Sequence, residues 1–278
     1  MLLIGCALAM ERDDYVPKEK CTTPGRCSES SSSTTGLRVL QLLSGREHSS
    51  SGSRLAEVAK SMMNYQYLVG DAASDEVAVI DGCWDPAGIA AFAKSKGLKI
   101  VKYIATHYHY DHIGGEMPGS QGRIPGLREF VDDMGLFAHI HKVERDHAIR
   151  STGVVHSNRV VGMKQGSRIE LGKVSLRFLH TPGHSPGGMS IVLSHGGVEE
   201  AIITGDTLFP GSCGRVDLPG SDKADMFRSI QGVLAKQPDR LVVWPGHGYS
   251  TPSSTIGQEK LGGLLKPMSM DQWMAMMG

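Results

Sequence analysis

The chain lacks a surplus of charge of either sign. Its 29 lysines and arginines match 29 aspartates and glutamates, and no basic stripe stands out. That argues against nucleic acid or an anionic membrane as a partner, because both select for clustered cations. Long apolar runs are also missing, since no stretch approaches the ~18 residues that a membrane span requires. Cysteine is scarce. The five present (Cys6, Cys21, Cys27, Cys83, Cys213) are odd in number and widely spaced. They do not form a disulfide framework, and a reducing, cytoplasmic setting is expected. Residues 1–10 are apolar but have no charged start, and Glu11-Arg-Asp-Asp14 follows at once. A secretory signal is therefore not expected, although import into an organelle through this end stays open.

What is present suffices for one large core: 278 residues, of which 40% are hydrophobic. Residues 1–36 hold the low-complexity run Cys27-Ser-Glu-Ser-Ser-Ser-Ser-Thr-Thr-Gly36 and are expected to be a disordered extension. Residues 37–278 are expected to form a single catalytic domain. Alternating apolar residues predict strands over 37–43, 61–70 and 76–81, with a serine-rich loop at 49–53 and a hairpin turn at 71–75. Asp85-Pro86 opens a helix that Gly97 closes. Further strands are expected over 99–106, 137–141, 174–180, 189–193, 201–204 and 241–244. Helices are expected over 127–134, 222–236 and around Trp273.

The densest chemistry lies in Thr106-His-Tyr-His-Tyr-Asp-His112, where three histidines and an aspartate fall within six residues. Imidazole and carboxylate together suit zinc, iron or manganese. The run follows a strand, at the carboxyl end where open α/β folds place their sites. Three more strands end in candidate ligands flanked by glycine: Thr181-Pro-Gly-His184, Thr204-Gly-Asp206 and Pro245-Gly-His247. Glycine permits the sharp turn and close approach that such a site needs.

Together with Gly214-Arg-Val-Asp-Leu-Pro-Gly220, these motifs resemble the metallo-β-lactamase superfamily, and within it the hydroxyacylglutathione hydrolase (glyoxalase II)-like branch. The resemblance covers roughly residues 37–278. It implies a four-layer αββα sandwich, with two mixed sheets back to back, helices outside and metals at one edge. By motif position it implies that His107, His109 and His184 bind a first divalent metal ion. Asp111, His112 and His247 would bind a second, and Asp206 would bridge the two. Zinc is the first expectation, with iron or manganese as alternatives. Two cations a few ångströms apart lower the pKa of a shared water, giving a hydroxide that attacks a carbonyl. Asp111 is the one catalytic residue assigned, orienting that hydroxide. Substrate-binding residues stay unassigned.

The implied activity is hydrolysis of an ester-like bond, first a thioester such as S-2-hydroxyacylglutathione, with a small molecule, for instance a glutathione conjugate, as partner. Glyoxalase II proteins carry a helical domain after the last histidine, whereas only residues 248–278 follow His247, as in shorter members of the branch. The first alternative is a persulfide dioxygenase with one iron on His107, His184 and Asp206, whose Cys-Gly-Arg tripeptide resembles Cys213-Gly214-Arg215. A lactonase is the other alternative. Tyr108, Tyr110 and Tyr249 are expected to pack, and His180 to be structural. His139 and His141 have no ligand role in this reading, and His48, His147, His156 and His195 are expected at the surface. Cys213 is read as a small buried residue, and Arg215 with Asp217 as a loop brace.

Overall fold

The computed structural model describes residues 36–46, 54–117, 119 and 122–278. The expected disordered extension, apart from Gly36, and the serine-rich loop at 49–53 lie outside the described residues, as does His48. The first sheet contains β1 (Leu37–Leu43), β2 (Tyr65–Asp71), β3 (Glu76–Ile80) and β4 (Lys99–Ile104). A small ribbon, β5 (Gly115–Glu116) with β6 (Arg123–Ile124), precedes the last strands of that sheet, β7 (Phe137–His141) and β8 (Val160–Met163). The second sheet holds β9 (Arg168–Leu171), β10 (Val174–His180), β11 (Met189–His195), β12 (Val198–Gly205), β13 (Val242–Pro245) and β14 (Ser254–Thr255). The orders are β1-β2-β3-β4-β7-β8 and β14-β13-β12-β11-β10-β9. Both sheets are mixed: β3, β4, β7 and β8 run parallel, as do β12 and β13, while the other pairs are antiparallel.

Period-two alternation builds the layers. Val39, Val69, Ala78 and Ile80 from the first sheet meet Leu176, Phe178, Ile191, Leu193 and Ile203 from the second in one shared core. Their strand neighbours point outward. Leu40, Leu68, Val77 and Val79 pack under α2 (Pro86–Ser95) and α4 (Arg145–Thr152). On the far side, Val192, Ile202 and Val243 pack under α5 (Lys223–Phe227) and the C-terminal helices α6 (Ile256–Gly262) and α7 (Met270–Met276). This is the expected αββα sandwich. Trp273 is fully buried beneath its flanking methionines, which makes α7 a packed helix.

Three expectations need correction. The second strand does not begin at residue 61, because α1 (Arg54–Met62) occupies that stretch. Its Leu55, Val58, Ala59 and Met62 fall at helical spacing and pack on Cys83, Trp84 and Ile124. Helical periodicity therefore competes with alternation there and wins. The predicted helix over 222–236 is not a uniform α-helix: it starts under an Asp222 cap, widens to π-helical winding over Arg228–Val233 and tightens over Leu234–Lys236. The polar stretch from 142 to 173, left without elements by sequence, holds α4, β8 and β9.

Candidate metal centre

The expected ligands all leave one edge of the sandwich. β3 and β4 are parallel and end together. β10 and β12 both pair antiparallel to β11, so their carboxyl ends share that edge, and β13 follows β12 in parallel. α3 (Tyr110–Ile113) is a single turn that folds Asp111 and His112 back beneath His107. Backbone bonds lock the edge together: Met189 N–H donates to Thr106 O (2.9 Å), Gly246 N–H to Gly205 O (2.9 Å) and Gly248 N–H to Met63 O (2.8 Å). Gly205 has φ +50°, and a Cβ there would lie 2.7 Å from Thr106 Oγ1. A Cβ on Gly246 would strike the Asp206 carboxylate. Both glycines are thus required by close approach.

All seven expected residues converge. In the first set, His109 Nδ1 lies 3.1 Å from His107 Nε2 and 2.9 Å from His184 Nε2. In the second, the Nε2 atoms of His112 and His247 are 3.2 Å apart, and Asp111 Oδ2 is 3.5 and 3.4 Å from them. Asp206 lies between the sets. Its Oδ2 is 3.5 Å from His184 Nε2 and 3.2 Å from His247 Nε2, and its Oδ1 is 3.4 Å from His112 Nε2. Within each set the ligating atoms lie within 4.8 Å of one another.

The donor chemistry fits a divalent cation in each set. His184 Nδ1–H donates to Arg215 O (2.8 Å), and His247 Nδ1–H to Met62 O (2.8 Å). His112 Nδ1–H donates to Asp81 Oδ2 (3.0 Å). The Thr106 hydroxyl donates to Asp81 Oδ2 (2.7 Å), which makes it an acceptor for His107 Nδ1–H (3.0 Å). Four imidazoles are therefore anchored through the far nitrogen, with the near nitrogen turned inward as a lone pair. Inward lone pairs cannot bond to one another, and Asp206 Oδ1 is buried with no hydrogen-bond partner. A cation satisfies all of them at once.

Electrostatics separates the two sets. Burial, together with the neighbouring His112, holds His107 well below its ordinary value, and burial beside His184 takes His109 down to about 4. Burial acts against charge on His112 too, but the carboxylates of Asp206 and Asp111 outweigh it and raise His112 well above its ordinary value. His247 is raised in the same way, chiefly by Asp206 against its own burial. Burial opposes the charge on Asp206, yet His247 and His112 hold it well below the usual carboxylate range. Without a cation, protons favour His112 and His247 over His107 and His109.

Sequence reasoning missed the supports. Asp81 accepts from Thr106 N–H as well (2.7 Å) and so orders two ligating histidines. Asn64 Nδ2–H donates to Asp111 Oδ2 (2.9 Å), and Trp84 Nε1–H to Asn64 Oδ1 (3.1 Å). Asp81-Gly82 repeats the pattern of strand, aspartate and glycine, which is the signal that was available for Asp81. Nothing comparable marks Asn64.

The other singled-out residues fall outside the two sets. His180 stacks on His141 with centroids 4.1 Å apart and bonds to Pro186 O (3.0 Å). His139 bonds to Tyr103 O (3.3 Å). His147 and His156 are exposed, as expected. His195 is a correction: it is half-buried, 3.6 Å from Asp71 Oδ1, because β11 carries it into the end of the sandwich. The tyrosines pack, two of them against expected ligands. Tyr249 is exposed and stacks on His247 (4.6 Å, 12°), and Tyr108 tilts against His109 (4.9 Å). Tyr110 is half-buried and packs beside Trp84 and Cys83. Cys213 is half-buried, and Arg215 pairs with Asp217 (2.8 Å) across an exposed loop.

The description "Metallo-beta-lactamase superfamily" matches residues 62–247. The chain belongs to that superfamily. Among curated relatives, an uncharacterized protein of Aquifex aeolicus is 31% identical over 193 residues, 69% of this chain and 87% of that one. The probable metallo-hydrolase YqgX of Bacillus subtilis is 29% identical over 198 residues, 68% and 86% of the two chains. The mitochondrial persulfide dioxygenase ETHE1 of Mus musculus is 28% identical over 204 residues, 70% and 68%. Among solved structures, a metallo-beta-lactamase from Staphylococcus aureus has a TM-score of 0.67 at 25% identity, covering 86% of this chain and 66% of that one. A protein solved in a di-iron-bound form has a TM-score of 0.54 at 27% identity, covering 73% and 94%. Metallo-beta-lactamase relatives thus include zinc-dependent and iron-bound proteins, and the donor set here suits either metal.

Proposed function

We propose that the chain is a two-metal hydrolase of ester-like bonds, acting on thioesters of the S-2-hydroxyacylglutathione class as a glyoxalase II-like enzyme. The observation that carries this reading is the completeness of the second set. Asp111, His112 and His247 are buried, mutually placed and separately anchored by Asn64, Asp81 and Met62 O. One metal held by His107, His184 and Asp206 would leave these three anchored donors without a ligand role. Zinc is the proposed metal, with iron or manganese also suited to these donors.

Bound there, two divalent ions would polarise a carbonyl and make a water acidic enough to ionise near neutral pH. The chain's own residues do the positioning. Asn64, itself held by Trp84, fixes one oxygen of Asp111. Asp111 is the residue proposed to orient the attacking oxygen. The exposed ring of Tyr249, backed by the buried Phe209, on the His247 side, and the half-buried Tyr108 on the His109 side, are proposed as walls for a small-molecule substrate.

Similarity to the persulfide dioxygenase of mouse supports a second reading, oxidation of a glutathione persulfide on one iron. Elemental analysis of protein purified without added metal or chelator, followed by two assays, separates them. About two metal ions per chain with hydrolysis of a glutathione thioester is the expected result. About one iron per chain, with oxygen uptake on a persulfide and no thioester cleavage, would overturn the hydrolase reading.

A further inference from the structure

Glu144 is buried at 2% exposure, outside both metal sets. It stands just before α4, yet its side chain makes no bond to that helix and turns toward the ligand loops instead. Its Oε1 accepts from Gly187 N–H (2.7 Å), three residues beyond His184. The Ser185 hydroxyl and the Tyr108 amide face the same carboxyl group. Ser185 adjoins His184, and Tyr108 separates His107 from His109. One carboxyl group, from a third element, therefore meets both segments that supply the three imidazoles of the first set. Gly187 is shaped to it: a Cβ there would lie 2.7 Å from Glu144 Cγ and Cδ. Glu144 Oε2 and Ser185 Oγ are both buried without a hydrogen bond of good geometry. No core-packing need accounts for an acidic side chain here, since an apolar residue would fill the space without the desolvation cost.

We propose that Glu144 is a positioning residue for the first metal. It clamps the His107–His109 segment to the His184 loop, so that three imidazoles from two sheets converge on one ion. The inference rests on the two-metal reading above.

The test is stepwise loading of the metal-free full chain with Co2+. Paramagnetically shifted imidazole N–H resonances report each set separately: His107 and His184 for the first, His112 and His247 for the second. Glu144→Ala is expected to weaken Co2+ binding in the first set by ~10–100-fold, as loss of a supporting partner does, with the second set unchanged. Glu144→Gln keeps an oxygen for Gly187 N–H and is expected to recover most of that affinity. Gly187→Ala, which displaces the carboxyl group from the other side, is expected to reproduce the loss and decides the matter if Glu144→Ala does not fold. Wild-type affinity of the first set in Glu144→Ala or Gly187→Ala, or equal weakening of both sets, would overturn the proposal. Failure of the wild-type chain to take up Co2+ would overturn the two-metal reading and this inference with it. Normal wild-type uptake with unaltered variants would overturn this inference alone.

Discussion

Asp81 is not one of the expected metal ligands, yet its replacement is expected to disable a metal set. Its carboxylate is buried and accepts three bonds: from Thr106 N–H and Thr106 Oγ1–H, each at 2.7 Å, and from His112 Nδ1–H at 3.0 Å. Truncation in Asp81→Ala strands three buried donors, each costing about 1–3 kcal/mol when left unpaired. Partial relaxation brings the expected loss to about 3–5 kcal/mol. Asp81 also has φ +54°, a conformation that aspartate and asparagine tolerate better than alanine. Asp81→Asn is therefore the sharper variant. Its amide oxygen still serves Thr106 N–H, but its amino group meets His112 Nδ1–H, donor against donor. His112 must then carry its proton on Nε2, the atom that faces the second set. Metal affinity there is expected to fall ~10–100-fold, read by zinc competition against a chromophoric chelator. The first set should be disturbed as well, because the Thr106 hydroxyl donates to the same Oδ2 and loses the acceptor that frees its lone pair for His107 Nδ1–H. Wild-type zinc affinity in Asp81→Asn, or an unchanged melting temperature for metal-free Asp81→Ala, would refute the reasoning.

Asp206→Ala removes the group shared by both sets, so metal content and activity should vanish together; full activity in that variant would defeat the constellation. His139→Ala deletes one hydrogen bond to Tyr103 O and is expected to cost about 1–2 kcal/mol of stability with metal content unchanged. Loss of metal there would show the ligand set to be wrong. Burial raises Glu144 from 4.5 to about 7. Between those values the folded metal-free protein binds more protons than the unfolded chain, so stability should fall as pH rises through the window. The fall amounts to about 3 kcal/mol. Glu144→Gln should lack this loss, and denaturant curves for the two proteins that run parallel from pH 5 to 8 would contradict it. Calorimetry in buffers of different ionisation enthalpy should find less proton release when the first set fills than when the second does, since His107 and His109 are held low. Filling of the second should expel protons from His112 and His247, whose values are raised, and should weaken as pH falls. Equal release in both steps would refute that asymmetry.

The strands that were legible in sequence are those with one face in the shared core and the other under helices. Leu37–Leu43 and Val174–His180 were bounded to the residue because apolar residues recur through their full length. α1 was not legible. Its apolar face is short and adjoins the alternating residues of β2, so two periodicities overlap at Ser61 and Met62. β8 escaped for the opposite reason. It is an edge strand with an exposed centre, Val161 and Gly162, and no pattern marks it as buried on either side.

The same contrast governs the site. Candidate ligands concentrate in sequence because a strand end is a narrow place: His107, His109, Asp111 and His112 all reach the two sets from the end of β4 and the single turn after it, and glycine clears the approach for Asp206 and His247. Their supports carry no such constraint. Asp81, Asn64 and Glu144 come from the end of β3, the entry to β2 and the start of α4, each as a single polar residue in an ordinary setting. What unites them is burial beside a ligand, which exists only once both sheets have closed on each other. The residues that would touch metal are thus readable as a pattern, and those that set their tautomer and direction are readable only as geometry. Variants of the second kind are for that reason the more discriminating probes. They leave every metal donor in place and alter only the arrangement on which the two-metal reading depends.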